Sequence, residues 1–107
     1  MNKKSNHKLP RSVNGVRLPK HPLVMMTDMQ REHGAALTDI ARAMNMKQVQ
    51  QLWREVNYAS KDRDHLIPAH WILDVCRLSG MPPVVFRPDL YRPEWTWPDK
   101  PEIVKVQ

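Results

Sequence analysis

The sequence predicts a mainly α-helical domain of four to five short helices, and three observations predict it. Apolar residues recur at i, i+3, i+4 and i+7 in two adjacent windows: Leu37, Ile40, Ala41 and Met44, then Val49, Leu52, Trp53 and Val56. Each set forms one stripe on a helix of 3.6 residues per turn. Gly34, Asn45 and Gly80 stand where periodic runs stop, and all three tolerate the left-handed backbone that ends helices. Pro68 suits the first turn of a further helix, while Pro82 and Pro83 forbid its continuation.

Taken in order, residues 1–22 hold Lys3, Lys4, Lys8, Arg11, Arg17 and Lys20 and no acid. The rest of the chain carries equal numbers of basic and acidic groups, so the net charge of +6 resides wholly in this segment. A stretch of that charge without aromatics is expected to be a disordered basic arm. Beside a polyanion it would neutralise phosphates and release counterions; a solubilising tail would look the same. The domain is expected to span 23–95. Leu23 to Met26 reads as a short strand, and Val84 to Phe86 as a partner for it, giving a small two-stranded β element. Thr27-Asp28-Met29-Gln30 matches a capping box and starts a first helix over 28–33. A second helix runs from about residue 37 to Asn45, and a third from 47 to 56. A polar loop follows over 57–66, then a fourth helix from Pro68 to residue 78 or 79. Ile72, Leu73, Val75, Cys76 and Leu78 form its inner face, and Trp53 and Trp71 are expected in the core. Residues 96–107 read as an extended, proline-rich tail beside Trp95 and Trp97.

Composition argues against several chemistries. Cys76 is the only cysteine, so neither a disulfide framework nor a thiolate metal site is available. Among Leu73, Val75 and Leu78 it reads as a small buried apolar residue rather than a nucleophile. The five histidines have no metal-binding spacing, and no glycine-rich loop cradles a phosphate. The expectation is a non-enzymatic protein without cofactor or metal. No signal segment or membrane span is visible, and a single cysteine suits the reducing cytosol.

The third helix carries the chemistry that remains. In a helix-turn-helix the second helix of the pair lies in the major groove and the first supports it across the backbone. Gln pairs with the N6/N7 edge of adenine and Arg with O6/N7 of guanine. Gln50, Gln51 and Arg54 supply those groups on the face opposite the apolar stripe, with Lys47 and Gln48 at its start. Thr38 and Arg42 on the supporting helix, and Lys61 and Arg63 in the following loop, are further candidates for DNA contact. Glu55, at the edge of the face, would repel phosphates and is expected to turn away. A solvated surface helix carries the same residue types; the preceding helix and turn favour DNA.

The order of these pieces resembles the phage Cro and YdaS-type superfamily of helix-turn-helix regulators. The resemblance is carried by Ile40-Ala41-Arg42-Ala43-Met44-Asn45-Met46, by Ile67-Pro68-Ala69-His70, by Arg87 to Trp95, which opens Arg-Pro-Asp, and by the helix over 26–34. It covers about residues 27–95. At Gln51 the chain departs from the pattern, since the family places a buried residue there. The resemblance implies a lambda-repressor/Cro-like fold and a phage or prophage transcriptional regulator, often a homodimer on a double-stranded DNA operator, repressing by occlusion. The alternative is a protein-interaction module, such as an antitoxin, antirepressor or host-takeover factor, binding a protein partner through Trp95 and Trp97.

Overall fold

Residues 8–94 and 100–106 are described by a computed structural model, and their architecture is mainly helical. A hairpin of β1 (Ser12–Val13) and β2 (Val16–Arg17) precedes α1 (Pro22–Glu32), α2 (Leu37–Ala43) and α3 (Val49–Lys61). A 3-10 turn (Ala69–Trp71) runs into α4 (Ile72–Ser79), and a second 3-10 turn covers Pro83–Val85. Helix α1 packs most extensively on α4 and α2 on α3, and α1 also touches both members of the second pair. The core between them is built from Leu23, Met26, Ile40, Leu52, Ile67, Ile72, Val75, Leu78 and Phe86.

Helix α1 starts six residues earlier than the capping-box reading placed it, so Leu23–Met26 is helix and not strand. Its cap is His21, whose Nδ1 accepts the Leu23 N–H at 3.0 Å, with Pro22 in the first turn. Leu23, Met26, Thr27 and Gln30 form its buried stripe at i, i+3, i+4 and i+7. Two of those four are polar, which hid the periodicity. Thr27 Oγ1 instead donates to the Val24 carbonyl within the helix (3.1 Å).

Gly34 at φ 96° and Asn45 at φ 59° end α1 and α2 as expected. Both ends close the same way. The Ala35 N–H donates to Gln30 O and the Gly34 N–H to Arg31 O; likewise Met46 donates to Ala41 O and Asn45 to Arg42 O. That is the paired pattern that satisfies the last carbonyls of a helix around a left-handed residue. Gly80, at φ 73°, ends α4 by a single bond from its N–H to Cys76 O at 2.8 Å, and the Met81 N–H goes to Ser79 Oγ at 3.1 Å.

Helix α3 begins two residues later and ends five residues later than the sequence predicts, so much of the expected 57–66 loop is helix. Ala59, seven residues after Leu52, continues the buried stripe with a side chain too small to register as a hydrophobic signal. Trp71 is in the core, but Trp53 is 60 % exposed and Leu73 65 % exposed, so neither belongs to the inner face assigned to it. The Val84–Phe86 segment is not a strand. It forms the second 3-10 turn and its exit, with Val85 and Phe86 buried, and the β element lies instead at 12–17. Asn14 and Gly15, both at positive φ (50° and 79°), make the tight hairpin turn whose hand suits two twisted strands.

The basic arm is largely part of the domain. Lys3 and Lys4 lie outside the described residues, but from residue 8 onward the chain is fastened down. Leu9 and Leu18 are buried, each stabilising by roughly 1.5–3 kcal/mol. The Asp64 carboxylate accepts the Leu9 N–H at 3.0 Å and both Arg11 Nη groups at 2.7 and 3.3 Å. Arg63 Nη2 donates to the Pro10 and Leu18 carbonyls at 3.1 and 2.9 Å.

At the other end, residues 100–106 run over α1 and α4 without regular structure. Gln30 holds them: its Nε2 donates to Leu78 O and Glu102 O, both at 2.8 Å, and its Oε1 accepts the Val104 N–H at 2.9 Å. Trp95 and Trp97 lie outside the described residues. The Arg-Pro-Asp segment is a clamp. Arg87 binds Asp89 through two nitrogens at 2.9 and 2.7 Å and gives Nη1 to Ile67 O at 2.8 Å, pinning the chain entering α4.

Candidate nucleic-acid interface

Helices α2 and α3 are joined by five residues, 44–48. Met46 packs partly buried on the core, so the turn is anchored as well as hydrogen-bonded. Arg77 of α4 fixes the end of α2 by donating Nη2 to Ala43 O at 2.8 Å, while pairing with Asp74 and Glu102, each at 3.1 Å. The pair is therefore tied to the body of the domain at its junction. Leu52 and Ala59 of α3 point into the core, with Val49 and Val56 partly covered. At 100° per residue, Gln50, Arg54 and Lys61 fall on the opposite side.

Lys47, Gln48, Gln50, Gln51 and Arg54 are all exposed. Gln48 caps α3 with extended backbone, and Asn45 lies exposed in the turn. Glu55 is the only carboxylate between residues 45 and 61. Its side chain is 17 % exposed and accepts a hydrogen bond from His65 Nε2 at 2.6 Å, turned from the outer face as expected. Lys47, Arg54 and Lys61 form no ion pair among the described residues. The ridge from Asn45 to Lys61 thus presents three cations without an ion pair among the described residues and three exposed glutamines.

The remaining predicted contacts divide. Thr38 is exposed at the start of α2, and Arg42 is exposed and paired with Asp39 at 3.3 Å. Lys61, at the last position of α3, forms no ion pair among the described residues. Arg63 is not available as predicted, because its Nη2 holds the N-terminal segment to the loop. Arg11 is bound to Asp64 and Lys20 to Asp28 (3.2 Å), whereas Lys8 and Arg17 are exposed.

Two features of this surface were missed. Trp53 and Tyr58 are exposed on α3, because the periodic position of Trp53 resembles a core site and only packing shows otherwise. A cleft of about 720 Å³ also lies beside the C-terminal end of α3, reached by the hairpin and the start of α1. No sequence signal marks it, since its residues come from two distant segments, 11–24 and 59–63.

The buried titratable groups are structural. His21 accepts at Nδ1 from Leu23 and donates from Nε2 to His65 O at 2.7 Å, which sets a neutral tautomer. Burial pushes its pKa down to about 4. Burial also raises the Cys76 thiol to about 12, leaving too little thiolate for nucleophilic chemistry. Among the described residues no cluster of His, Cys, Asp and Glu could hold a metal ion, and no helix is long and apolar enough to cross a membrane.

Comparison of the chain with family models, curated proteins and solved structures finds no match.

Proposed function

We propose that the chain is a sequence-specific DNA-binding regulator that lays α3 in the major groove, with α2 supporting it across the backbone. The reading is carried by the ridge from Asn45 to Lys61, on which every exposed charge is positive and the one carboxylate is turned inward. Gln50, Gln51 and Arg54 read base edges; Lys47, Lys61 and Thr38 contact phosphates; Trp53 offers apolar area to thymine methyl groups. The resemblance to Cro and YdaS-type regulators agrees with this assignment. It extends the reading to a cytoplasmic, non-enzymatic repressor acting as a homodimer on an inverted-repeat operator.

The test is selection of the full chain against a randomised duplex library, then anisotropy titrations of the enriched site at several salt concentrations. Arg54→Ala is expected to cost about 1–3 kcal/mol and relax preference at one base pair. Lys47→Ala weakens binding to all sequences alike and lowers the salt slope by about 1. Unchanged affinity and preference in alanine variants of Gln50, Gln51 and Arg54 would reject the assigned face.

A further inference from the structure

The cleft beside α3 has a polarity that DNA reading by α3 does not require. Its floor is apolar, formed by Leu18, Val24 and Ala59, and its rim carries Arg11, Arg17, Lys20, Lys61 and Arg63. Among the described residues no carboxylate lines it. Two of the five cations are compensated from outside the lining, Arg11 by Asp64 and Lys20 by Asp28. Arg17 and Lys61 form no ion pair among the described residues. Arg63 spends Nη2 on two backbone carbonyls, yet its Nη1 is buried with no hydrogen-bond partner. Desolvation and the nearby Arg11 charge act against its guanidinium charge, and the charge of Asp64 offsets them only in part.

Holding three unmatched cations around one concavity costs self-repulsion that an entering anion relieves, and low-dielectric walls strengthen its attraction. Helix α1 begins at the rim with no acid in its first turn, which adds the positive end of its dipole. The volume falls in the range of small-molecule sites and matches a nucleotide rather than a bare ion. Guanidinium groups at the rim suit the paired oxygens of a phosphate.

We propose that this cleft is a binding site for a phosphate group borne on a nucleotide-sized body, held chiefly by Arg17 and Lys61. One source is the backbone of a DNA strand crossing from α3, because Lys61 belongs both to the ridge and to the rim; the other is a free nucleotide. The site goes beyond the base-reading assignment and stands without it.

The experiment is two-dimensional NMR of the full chain titrated with inorganic phosphate, adenosine 5′-monophosphate and a short duplex. The expected result is saturable shifts of the Leu18, Lys20, Ala59 and Ser60 amides, not reproduced by sodium chloride at equal ionic strength. The double variant Arg17→Ala/Lys61→Ala, both positions exposed, weakens the response by about tenfold or more; Lys61→Gln alone serves if that variant unfolds. Competition between duplex and mononucleotide assigns the site to a DNA backbone, and mononucleotide binding without competition assigns it to a free nucleotide. Absence of saturable shifts from all three probes, or shifts untouched by the variants, overturns the proposal. Gln50→Ala/Arg54→Ala must leave the mononucleotide shifts intact. If no duplex binds through α3 while those shifts persist, the base-reading assignment fails and the cleft stands.

Discussion

Acidification should destabilise this domain through His21. The imidazole is buried, accepts the Leu23 N–H that starts α1, and donates to the His65 carbonyl, so protonation breaks the helix cap. Burial is the main cause of its depressed pKa; the charges of Arg63 and His65 act the same way, while Asp62 and the His65 carbonyl oppose them. The folded protein therefore gains this proton only near pH 4, whereas the unfolded chain gains it near 6.5. Between those values the unfolded state binds more protons, so stability is complete above pH 6.5 and falls as pH drops toward 4. At 1.36 kcal/mol per pH unit, the interval corresponds to about 3 kcal/mol, a large share of the ~5–15 kcal/mol that holds a domain together. Asp64, whose carboxyl the Arg11 hydrogen bond holds below its ordinary value, adds a loss only below that window. Urea titrations followed by tryptophan fluorescence across this pH range measure the slope. His21→Asn keeps a capping oxygen but cannot titrate. It should start about 1 kcal/mol less stable at pH 7 for want of the His65 contact, then lose little on acidification. The reasoning is refuted if His21→Asn loses stability as steeply as the parent, or if the His21 ring resonances titrate near pH 6.5.

Two further substitutions probe the C-terminal seam. Gln30→Leu deprives the Leu78 and Glu102 carbonyls and the Val104 N–H of their partners at once; the expected cost is about 2–4 kcal/mol, with faster hydrogen exchange at Val104. Exchange at Val104 unchanged from the parent would show that Gln30 does not hold the segment. Gly80→Ala places a methyl 2.9 Å from Pro101 N on a backbone at φ 73°, and should lower the unfolding free energy from urea titration by at least about 1 kcal/mol. A neutral result would mean that residues 100–106 do not lie over Gly80 in solution.

The legible parts were those where one residue type does one job. Leu37, Ile40, Ala41 and Met44 gave α2 its stripe, Asn45 its left-handed end, and Gly80 the end of α4. Reading failed where a polar residue occupied a core position. Thr27 and Gln30 complete the buried face of α1, but they spell a capping box to a local rule, and no local rule knows that Gln30 is satisfied by residues more than 45 positions away. Trp53 failed in the opposite sense, because the position has helical spacing but nothing packs over it. Of the α3 ridge, the outward glutamines and the inward Glu55 were both readable from angle alone.

Charge shows the same division between local and distant information. By composition the first 22 residues are an unopposed positive arm, and the two acids of the 62–64 loop merely offset its neighbouring Lys61 and Arg63. In the fold, Asp64 is drawn to Arg11 and Asp28 to Lys20, while Arg63 turns back to the hairpin carbonyls. Asp64 is thereby spent on fastening the N-terminal segment and Asp62 on the Asp64 N–H within the loop, and Lys61 forms no ion pair among the described residues. A charge-neutral loop in sequence becomes, through pairing over more than 50 residues, one wall of a cationic cleft. Removing Asp64 would loosen the hairpin and erase the cleft's shape together. The cleft's charge is thus a consequence of tertiary pairing, and net composition could neither reveal nor exclude it.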